Sequence, residues 1–405
     1  MGRRSRTQAR PTRAEFARIY ADRLRLLGET AQLEYDAASF SLIRPGPRPK
    51  ITNLGNIYEE YLKALRSDRD GVLRHYVQLL MDPEAKVPTE YADARPNILP
   101  RVRNRSFGSI LELQFRVRGA SARPEPVFPF AEHLAIEIIH DLPDVAYGVN
   151  PGNLSKWGVT FERALQDALG NLQEMSREGL RLHSPGVWRS PWSDDHDAAR
   201  ILLTEMVEQL PVQGDPVVGI PNRNTLIVTG SEDTDGLRRL ALLSSREFAK
   251  RDAITAIPFR VSARTWSPFL PPEGHPHHPA FRMLWLNSLQ ADYETQSELL
   301  RQLKGVTGDQ AWVSSFLIGQ GSQTGQVSSL CMWPVGTEVL VPETDIIWFV
   351  RTNLDERSKP EVVAQVTWDQ ARQYLGDRME PTGLFPPCFR VLDGLSEGEV
   401  IAMQA

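Results

Sequence analysis

Cysteine is scarce in this chain: Cys331 and Cys388 are the two cysteines among 405 residues. Disulfides are therefore not the means by which the fold is stabilised, which favours a reducing, cytoplasmic setting. The sequence also lacks any run of about 18 apolar residues, and its basic beginning leads into an amphipathic segment instead of an apolar signal region. We expect no membrane partner and no export.

A strong charge of one sign is missing as well, because the formal net charge is only -5. The first thirteen residues contain Arg3, Arg4, Arg6, Arg10 and Arg13 and no acidic residue. Such a stretch can touch phosphate, but it is more often a solvated tail. Nucleic acid is therefore not expected as a partner.

Strong catalytic motifs are the third absence. The chain contains no GxSxG, HExxH, GxxxxGK[ST] or paired CxxC sequence, so no cofactor is predicted. This favours a non-catalytic binding or regulatory protein that acts through a sheet face or groove. The alternative is a hydrolase or nucleotide-acting enzyme whose site is assembled only by the fold, because motif searches cannot detect such a site.

The length of 405 residues predicts two or three domains, since a single core stops growing at roughly 250–300 residues. Strand and helix periodicities alternate, which predicts a mixed α+β fold with sheets covered by helices. Composition places a helix-hairpin-helix unit at 1–82, an α/β domain at 83–270 and an α+β unit at 280–405. The proline- and histidine-rich segment 267–279 is predicted to be the loop between the last two.

Two local predictions bear on the site. The segments 217–221 and 225–229 are apolar and are separated by Asn222, Arg223 and Asn224, which indicates a hairpin. A helix is predicted to open at the acidic cluster that starts with Asp194 and to continue through Ile201, Leu202, Met206 and Val207.

Four segments carry a family resemblance: ILPRVRNRSF at 98–107, DDHDAARILL at 194–203, PVVGIPNRNTLIVTG at 216–230 and AITAIPFRV at 253–261. Their order and spacing resemble the bacterial YtpQ-like family, a group labelled as a domain of unknown function. The resemblance covers about 95–270, and 13–66 more loosely. It implies an architecture and a bacterial, cytosolic setting, and it brings no mechanism with it.

The first candidate site is a row of three arginines, Arg101, Arg103 and Arg105. Alternate residues of a strand share one face about 7 Å apart, so such a row suits an anionic ligand or an acidic protein partner. The competing interpretation is an ordinary solvated sheet face. If Arg103 is exposed, its replacement by alanine costs less than about 0.5 kcal/mol.

The second candidate site is the acidic cluster containing Asp195 and Asp197. Several carboxylates close together can bind a divalent cation, but the same residues also suit the cap of a helix, with Arg200 as a partner of Asp197. The loop with His275, His277 and His278 lacks further ligands at suitable spacing. We therefore predict no metal site.

Overall fold

The structure is a computed structural model that describes residues 10–37, 39–45, 50–66, 68–81, 87–119, 128–142, 145–250, 252–320, 326–351 and 360–404. The fold is mixed α+β, as the sequence predicts. Arg3, Arg4 and Arg6 lie outside the described residues. Five sheets occur in the described part, and their strands are paired antiparallel except in two pairs.

The N-terminal unit is a three-stranded antiparallel sheet with three helices. Its elements are α1 (Arg13–Leu26), β1 (Glu34–Asp36), β2 (Ser41–Arg44), β3 (Lys50–Asn53), α2 (Gly55–Lys63) and α3 (Arg69–Met81). Thr12 and Glu15 form a reciprocal capping box that starts α1. Phe16, Tyr20 and Leu24 of this helix recur at helical spacing and are buried in the core of the unit.

The middle part contains a four-stranded and a six-stranded sheet. Its elements up to the six-stranded sheet are α4 (Tyr91–Ala94), β4 (Ile98–Asn104), α5 (Ser106–Val117), β5 (Phe128–Phe130), β6 (Leu134–Leu142), β7 (Val145–Gly148), α6 (Pro151–Trp157) and α7 (Phe161–Met175). The elements that follow are β8 (Arg181–Ser184), β9 (Val187–Arg189), α8 (Thr204–Glu208), β10 (Pro216–Asn222), β11 (Thr225–Gly230), α9 (Thr234–Phe248), β12 (Phe259–Ser262) and β13 (Thr265–Pro268).

Strand β6 is the centre of the smaller sheet, with β4 on one side and both β5 and β7 on the other. Helices α6 and α7 pack on this sheet. The larger sheet has the order β13-β12-β10-β11-β9-β8. One apolar cluster joins the two sheets, with Val102 and Leu134 from the first and Val218 and Phe259 from the second.

The C-terminal part begins with a 30-residue helix. Its elements are α10 (His278–Thr307), β14 (Trp312–Val313), β15 (Leu317–Gln320), β16 (Val327–Pro334), β17 (Val339–Pro342), β18 (Ile346–Arg351), β19 (Glu361–Thr367), α11 (Trp368–Leu375), β20 (Glu380–Pro381), β21 (Cys388–Val391) and α12 (Glu397–Ala402). Strands β14, β17, β21 and β20 form one sheet, and β15, β16, β18 and β19 form another.

Helix α10 joins the middle and C-terminal parts. Its residues Phe281 and Leu284 pack under the six-stranded sheet, whereas Leu303 packs with Leu113 of α5 and Leu340 of β17. The carboxylate of Asp292 accepts hydrogen bonds from Asn104 and Ser106, at the end of β4. The domain boundaries at 82, 270 and 280 stay a prediction. A boundary at 270–280 would assign all of α10 to the C-terminal domain, although this helix packs on both parts.

Candidate functional site

Arg101 and Arg103 face the same buried carboxylate. The antiparallel register of β4 and β6 places Arg101 directly opposite Glu137, which is 4% exposed. Nε of Arg103 lies 2.5 Å and Nη1 of Arg101 lies 3.4 Å from Oε1 of Glu137. Two guanidinium groups therefore share one carboxylate, and this arginine-glutamate group carries a net charge of about +1.

The arginine-glutamate group has N–H donors that are not used within the described part of the chain. Among the described residues, neither Nη atom of Arg103 has a hydrogen-bond partner, and Arg101 has only the one long contact with Glu137. The guanidinium of Arg103 is stacked 4.2 Å over the ring of Phe107, which fixes its plane. Burial, followed by the neighbouring charge of Arg103, lowers the pKa of Arg101.

Arg105 does not belong to this row. Strand β4 ends at Asn104, and Arg105 has turned into a helical conformation before α5. Its Nη1 donates to the backbone oxygen of Glu132, and its guanidinium stacks 4.5 Å over Phe385. The alternation that predicts three arginines on one face holds for two of them, because the strand is one residue too short for the third.

The acidic loop, residues 193–197, has an unusual backbone. Ser193 and Asp195 both have left-handed φ angles, of 55° and 66°, a conformation that aspartate tolerates better than most residues. Asp197 stabilises the loop because its two carboxylate oxygens accept the backbone N–H groups of Ser193 and Asp194. Asp197 is fully buried, so it holds the loop and has no surface to offer a ligand.

The prediction that the acidic cluster caps a helix is wrong. A short 3₁₀ helix (Ala198–Leu202) follows, and Asp197 makes no side-chain capping bond to it. Arg200 does not pair with Asp197 but with Asp194, at 2.8 and 2.7 Å. Burial alone would raise the pKa of Asp194, but hydrogen bonds from Arg200 and the arginine charge hold it below its usual value.

A second charged group lies beside the acidic loop. Arg223, in the turn of the β10–β11 hairpin, has its Nη2 2.9 Å from Oδ1 of Asp252 and its Nη1 3.5 Å from Oδ2 of Asp195. Asn224 fixes Asp195 by accepting its backbone N–H at 2.7 Å and donating to its carboxylate at 2.8 Å. One guanidinium thus serves two carboxylates, and this arginine-aspartate group carries a net charge of about -1.

These two charged groups line one cleft. The cleft has a volume of about 1110 Å³, and Arg101, Arg103 and Asp195 are among its lining residues. Its other wall is the N-terminal unit, which contributes Tyr20 and Glu60. Of the five candidate residues Arg101, Arg103, Arg105, Asp195 and Asp197, Arg105 and Asp197 are not in the lining. One polar cleft that contains several of these residues is the arrangement that the enzyme alternative needs.

His196 also lines the cleft, and its Nε2 lies 3.1 Å from Oδ2 of Asp141. The histidine is almost fully buried, and its Nδ1 has no hydrogen-bond partner among the described residues. Because Nδ1 is also shielded from solvent, a ligand in the cleft does not reach it in this conformation. The lining includes no serine, cysteine or lysine in the part of the chain that the structure describes.

Sequence reasoning missed Glu137, Arg223 and Asp252. Glu137 is the one charged residue in the apolar run LAIEIIH, and a lone charge in a buried strand requires a partner. The sequence therefore did contain a signal for Glu137. It contains no signal for the pairing of Arg223 with Asp252, because this pairing depends on how the hairpin turn and a distant loop meet in the fold.

The histidine loop is held by local hydrogen bonds. Nδ1 of His275 accepts the backbone N–H of His277 at 3.2 Å, and Nδ1 of His278 lies 2.6 Å from the oxygen of Pro271. Within the described ranges, no three His, Cys, Asp or Glu side chains come together as metal ligands. No helix in those ranges is long and apolar enough to cross a membrane.

Comparisons with known proteins add no relative to this picture. No family model matches the chain, and neither a curated protein nor a solved structure does. The cleft must therefore be interpreted from its own geometry.

The contact with Glu137 changes what we expect of Arg103. Replacement of Arg103 by alanine should lower the free energy of unfolding by about 1–2 kcal/mol, because the buried carboxylate loses its shorter charged hydrogen bond. Urea denaturation of Arg103→Ala, Glu137→Gln and the double variant would measure the coupling between the two residues. A loss below about 0.5 kcal/mol, with no coupling, would show that Arg103 is a solvated surface residue.

Proposed function

We propose that this is a non-catalytic binding or regulatory protein, and that its ligand is a small polar compound with both an anionic and a cationic group. The observation that carries the proposal is that two neighbouring groups of opposite surplus charge line one cleft. The arginine-glutamate group has a surplus of positive charge and spare N–H donors. The arginine-aspartate group has a surplus of negative charge.

The arginine-glutamate group favours a ligand with a phosphate or carboxylate group. Guanidinium groups bind these anions through paired N–H donors, and low local polarity strengthens the contact. Arg101 is only 19% exposed in its side chain, and Arg103 is 30% exposed. An anion bound here would therefore be partly desolvated, with the two guanidinium planes already positioned.

The negative charge of the arginine-aspartate group explains why a simple anion is a poor fit for the whole cleft. Asp195 and Asp252 outnumber the single arginine that joins them, and Asp141 adds a further carboxylate to the lining. A second anionic group on the ligand would be repelled there, whereas an ammonium group would be attracted. The anionic ligand expected from the sequence is thus narrowed to a compound with both charges, and a large acidic protein partner is not favoured.

The lining also favours binding over covalent catalysis. Nucleophilic catalysis by serine, cysteine or lysine needs such a side chain next to a base, and the described lining has none. Cys331 and Cys388 are buried in the C-terminal part, and burial raises their pKa values to about 11 and 12. Neither is a reactive thiol in this environment.

One observation keeps the hydrolase or nucleotide-acting enzyme as a second candidate. His196 and Asp141 lie in the cleft in contact with each other, and a histidine oriented by a carboxylate is a common general base. This role requires the ring to move until Nδ1, which is buried in the present conformation, reaches the ligand. Cleavage of p-nitrophenyl phosphate or p-nitrophenyl acetate by the wild-type protein, with loss of activity in Asp141→Asn, would support this candidate over the binding protein.

The proposed ligand class can be tested with three matched probes: phosphoethanolamine, inorganic phosphate and ethanolamine. We expect phosphoethanolamine to raise the thermal midpoint more than either single-charge probe does, because binding to the folded state stabilises it. Arg101→Gln should weaken phosphoethanolamine binding by roughly tenfold in isothermal titration calorimetry, since it removes a charged hydrogen-bond donor.

Arg181→Gln is the control, because Arg181 is an exposed residue that pairs with Glu178, and neither residue lines the cleft. It should leave binding of all three probes unchanged. If phosphate stabilises the protein as well as phosphoethanolamine does, the site binds plain anions. If none of the probes binds, or Arg101→Gln binds as the wild type does, the proposal is wrong.

We further propose a bacterial, cytoplasmic protein related to the YtpQ-like family. The support is the order and spacing of the four sequence segments between 98 and 261, together with two free, buried cysteines.

A further inference from the structure

We propose that a second, apolar pocket in the C-terminal part binds a monocarboxylate with an apolar body. This apolar pocket has a volume of about 390 Å³ and lies where the end of α10 meets β14, β15 and β16. It shares no lining residue with the cleft. Its ligand is therefore independent of the function proposed above.

The floor of the apolar pocket is built from edge strands. Strand β14 is the edge of one C-terminal sheet and β15 is the edge of the other. They contribute Val313 and Leu317, and β16 contributes Met332. Because Leu317 and Met332 are only partly buried, an apolar ligand would remove their surface from water, at about 25 cal/mol per Å².

Trp312 forms part of the wall and is 46% exposed. Its backbone N–H is bound to the oxygen of Glu338, which fixes the strand but leaves the indole ring uncovered. A large aromatic side chain next to an apolar depression is a typical element of a small-molecule site.

Two cations define one side of the apolar pocket. Lys304 makes no ion pair within the described residues, and its Nζ has one long contact, 3.5 Å from the oxygen of Gln310. Arg301 donates to the hydroxyl of Ser315 at 2.8 Å and has a distant carboxylate, Glu298, at 3.7 Å. No acidic residue is part of the lining.

Asp309, which lies just beyond the end of α10, already has a direct ion pair. Both carboxylate oxygens of Asp309 are bound to Arg390, at 2.8 and 3.0 Å. Lys304 therefore has no direct ion pair in the described part of the chain, and its charge acts on Asp309 only at longer range. An ammonium group beside apolar surface is the arrangement that a carboxylate with an apolar chain complements. The volume suits a chain of moderate length, whereas a large lipid would extend beyond it.

Octanoate is the probe for this proposal, and octan-1-ol is the matched neutral compound. In calorimetric titrations of the full-length protein we expect octanoate to bind with a Kd of about 0.1–1 mM, from typical affinities per atom. Octan-1-ol should bind at least roughly tenfold more weakly, because the charged contact with Lys304 is lost. Trp312→Phe should remove the fluorescence change that accompanies octanoate binding.

Variants at Lys304 separate charge recognition from apolar adsorption. Lys304→Gln should weaken octanoate binding by roughly tenfold or more, and Lys304→Arg should retain most of it. Lys63→Gln, at an exposed lysine of the N-terminal unit, should bind as the wild type does. Met332→Trp, which fills the apolar pocket, should abolish binding.

Three results would overturn the proposal. They are the failure of octanoate to bind at 10 times the highest expected Kd, equal affinity for octan-1-ol, and unchanged affinity in Lys304→Gln. If Lys304→Gln has a lowered thermal midpoint, Lys304→Arg decides the question, because it keeps the charge. Loss of octanoate binding in Lys304→Arg, with a thermal midpoint equal to that of the wild type, would also count against the proposal.

Discussion

Replacement of Arg200 by methionine is expected to lower the free energy of unfolding by about 3–4 kcal/mol. Arg200 is fully buried, and its guanidinium binds both carboxylate oxygens of Asp194 and the hydroxyl of Ser176. It is also stacked 3.9 Å over Trp192. Methionine keeps most of the apolar volume but removes three hydrogen bonds and the contact with Trp192, and it leaves the carboxylate of Asp194, which is 29% exposed, without its counter-ion.

Chemical denaturation with urea would measure this loss. Arg177→Met is the matched control, since the side chain of Arg177 is 77% exposed and its replacement should cost less than about 0.5 kcal/mol. Adding Asp194→Leu to Arg200→Met should recover part of the stability, because the unpaired charge is removed. A loss below about 1 kcal/mol in Arg200→Met would mean that the pair contributes little to the folded state.

Acidification should destabilise the protein through His133, by about 3 kcal/mol between pH 7 and pH 4. This histidine lies between Trp285 and Phe385, with ring centroids at 5.3 and 5.7 Å. Burial, assisted by the charge of Arg105, lowers its pKa to about 4. The ordinary value of a histidine is about 6.5.

The sign follows from the two pKa values. Below about pH 6.5 the unfolded chain binds a proton at His133, whereas the folded protein does not until about pH 4, so stability is lost as the pH falls through this window. The shift of about 2.5 pK units corresponds to roughly 3 kcal/mol. Above pH 6.5 both states are neutral at this position, and the contribution is constant.

His133→Phe is the test of this assignment. The difference in unfolding free energy between the wild type and the variant, measured in urea from pH 7.5 to 4, should change by about 3 kcal/mol in favour of the variant as the pH falls. His140, whose pKa is also lowered by burial, is present in both proteins and its effect cancels. A difference that stays constant with pH would show that His133 does not carry the acid sensitivity.

Local signals predict much of the fold. The hairpin at 216–230 forms as expected, because Asn222 accepts the backbone N–H of Asn224 and so builds the turn. By contrast, the loop predicted at 267–279 is shorter than expected, because strand β13 extends to Pro268 and helix α10 already begins at His278. The helix can begin there because Pro279 lies in its first turn, where proline costs no hydrogen bond.

The candidate site was predictable only in part. Alternation along β4 brings Arg101 and Arg103 to one face, but their shared partner Glu137 is fixed by the register of β4 and β6, which short sequence windows do not contain. Similarly, the acidic loop offers several carboxylates, and only the fold decides that Arg200 binds Asp194 and that Asp197 is used internally. Long-range strand pairing determines the contact with Glu137, whereas the left-handed backbone of Ser193 and Asp195 determines the contacts within the acidic loop.

Helix α10 has a consequence for synthesis on the ribosome. Leu113 on the apolar side of α5 packs against Leu299 and Leu303, near the end of this helix. Translation proceeds at about 5–20 residues per second. The side of α5 that these residues cover is therefore synthesised roughly 10 to 40 seconds before the end of α10. During that interval the nascent chain displays an apolar surface of the kind that holdase chaperones bind, and a chain truncated before α10 would keep it permanently.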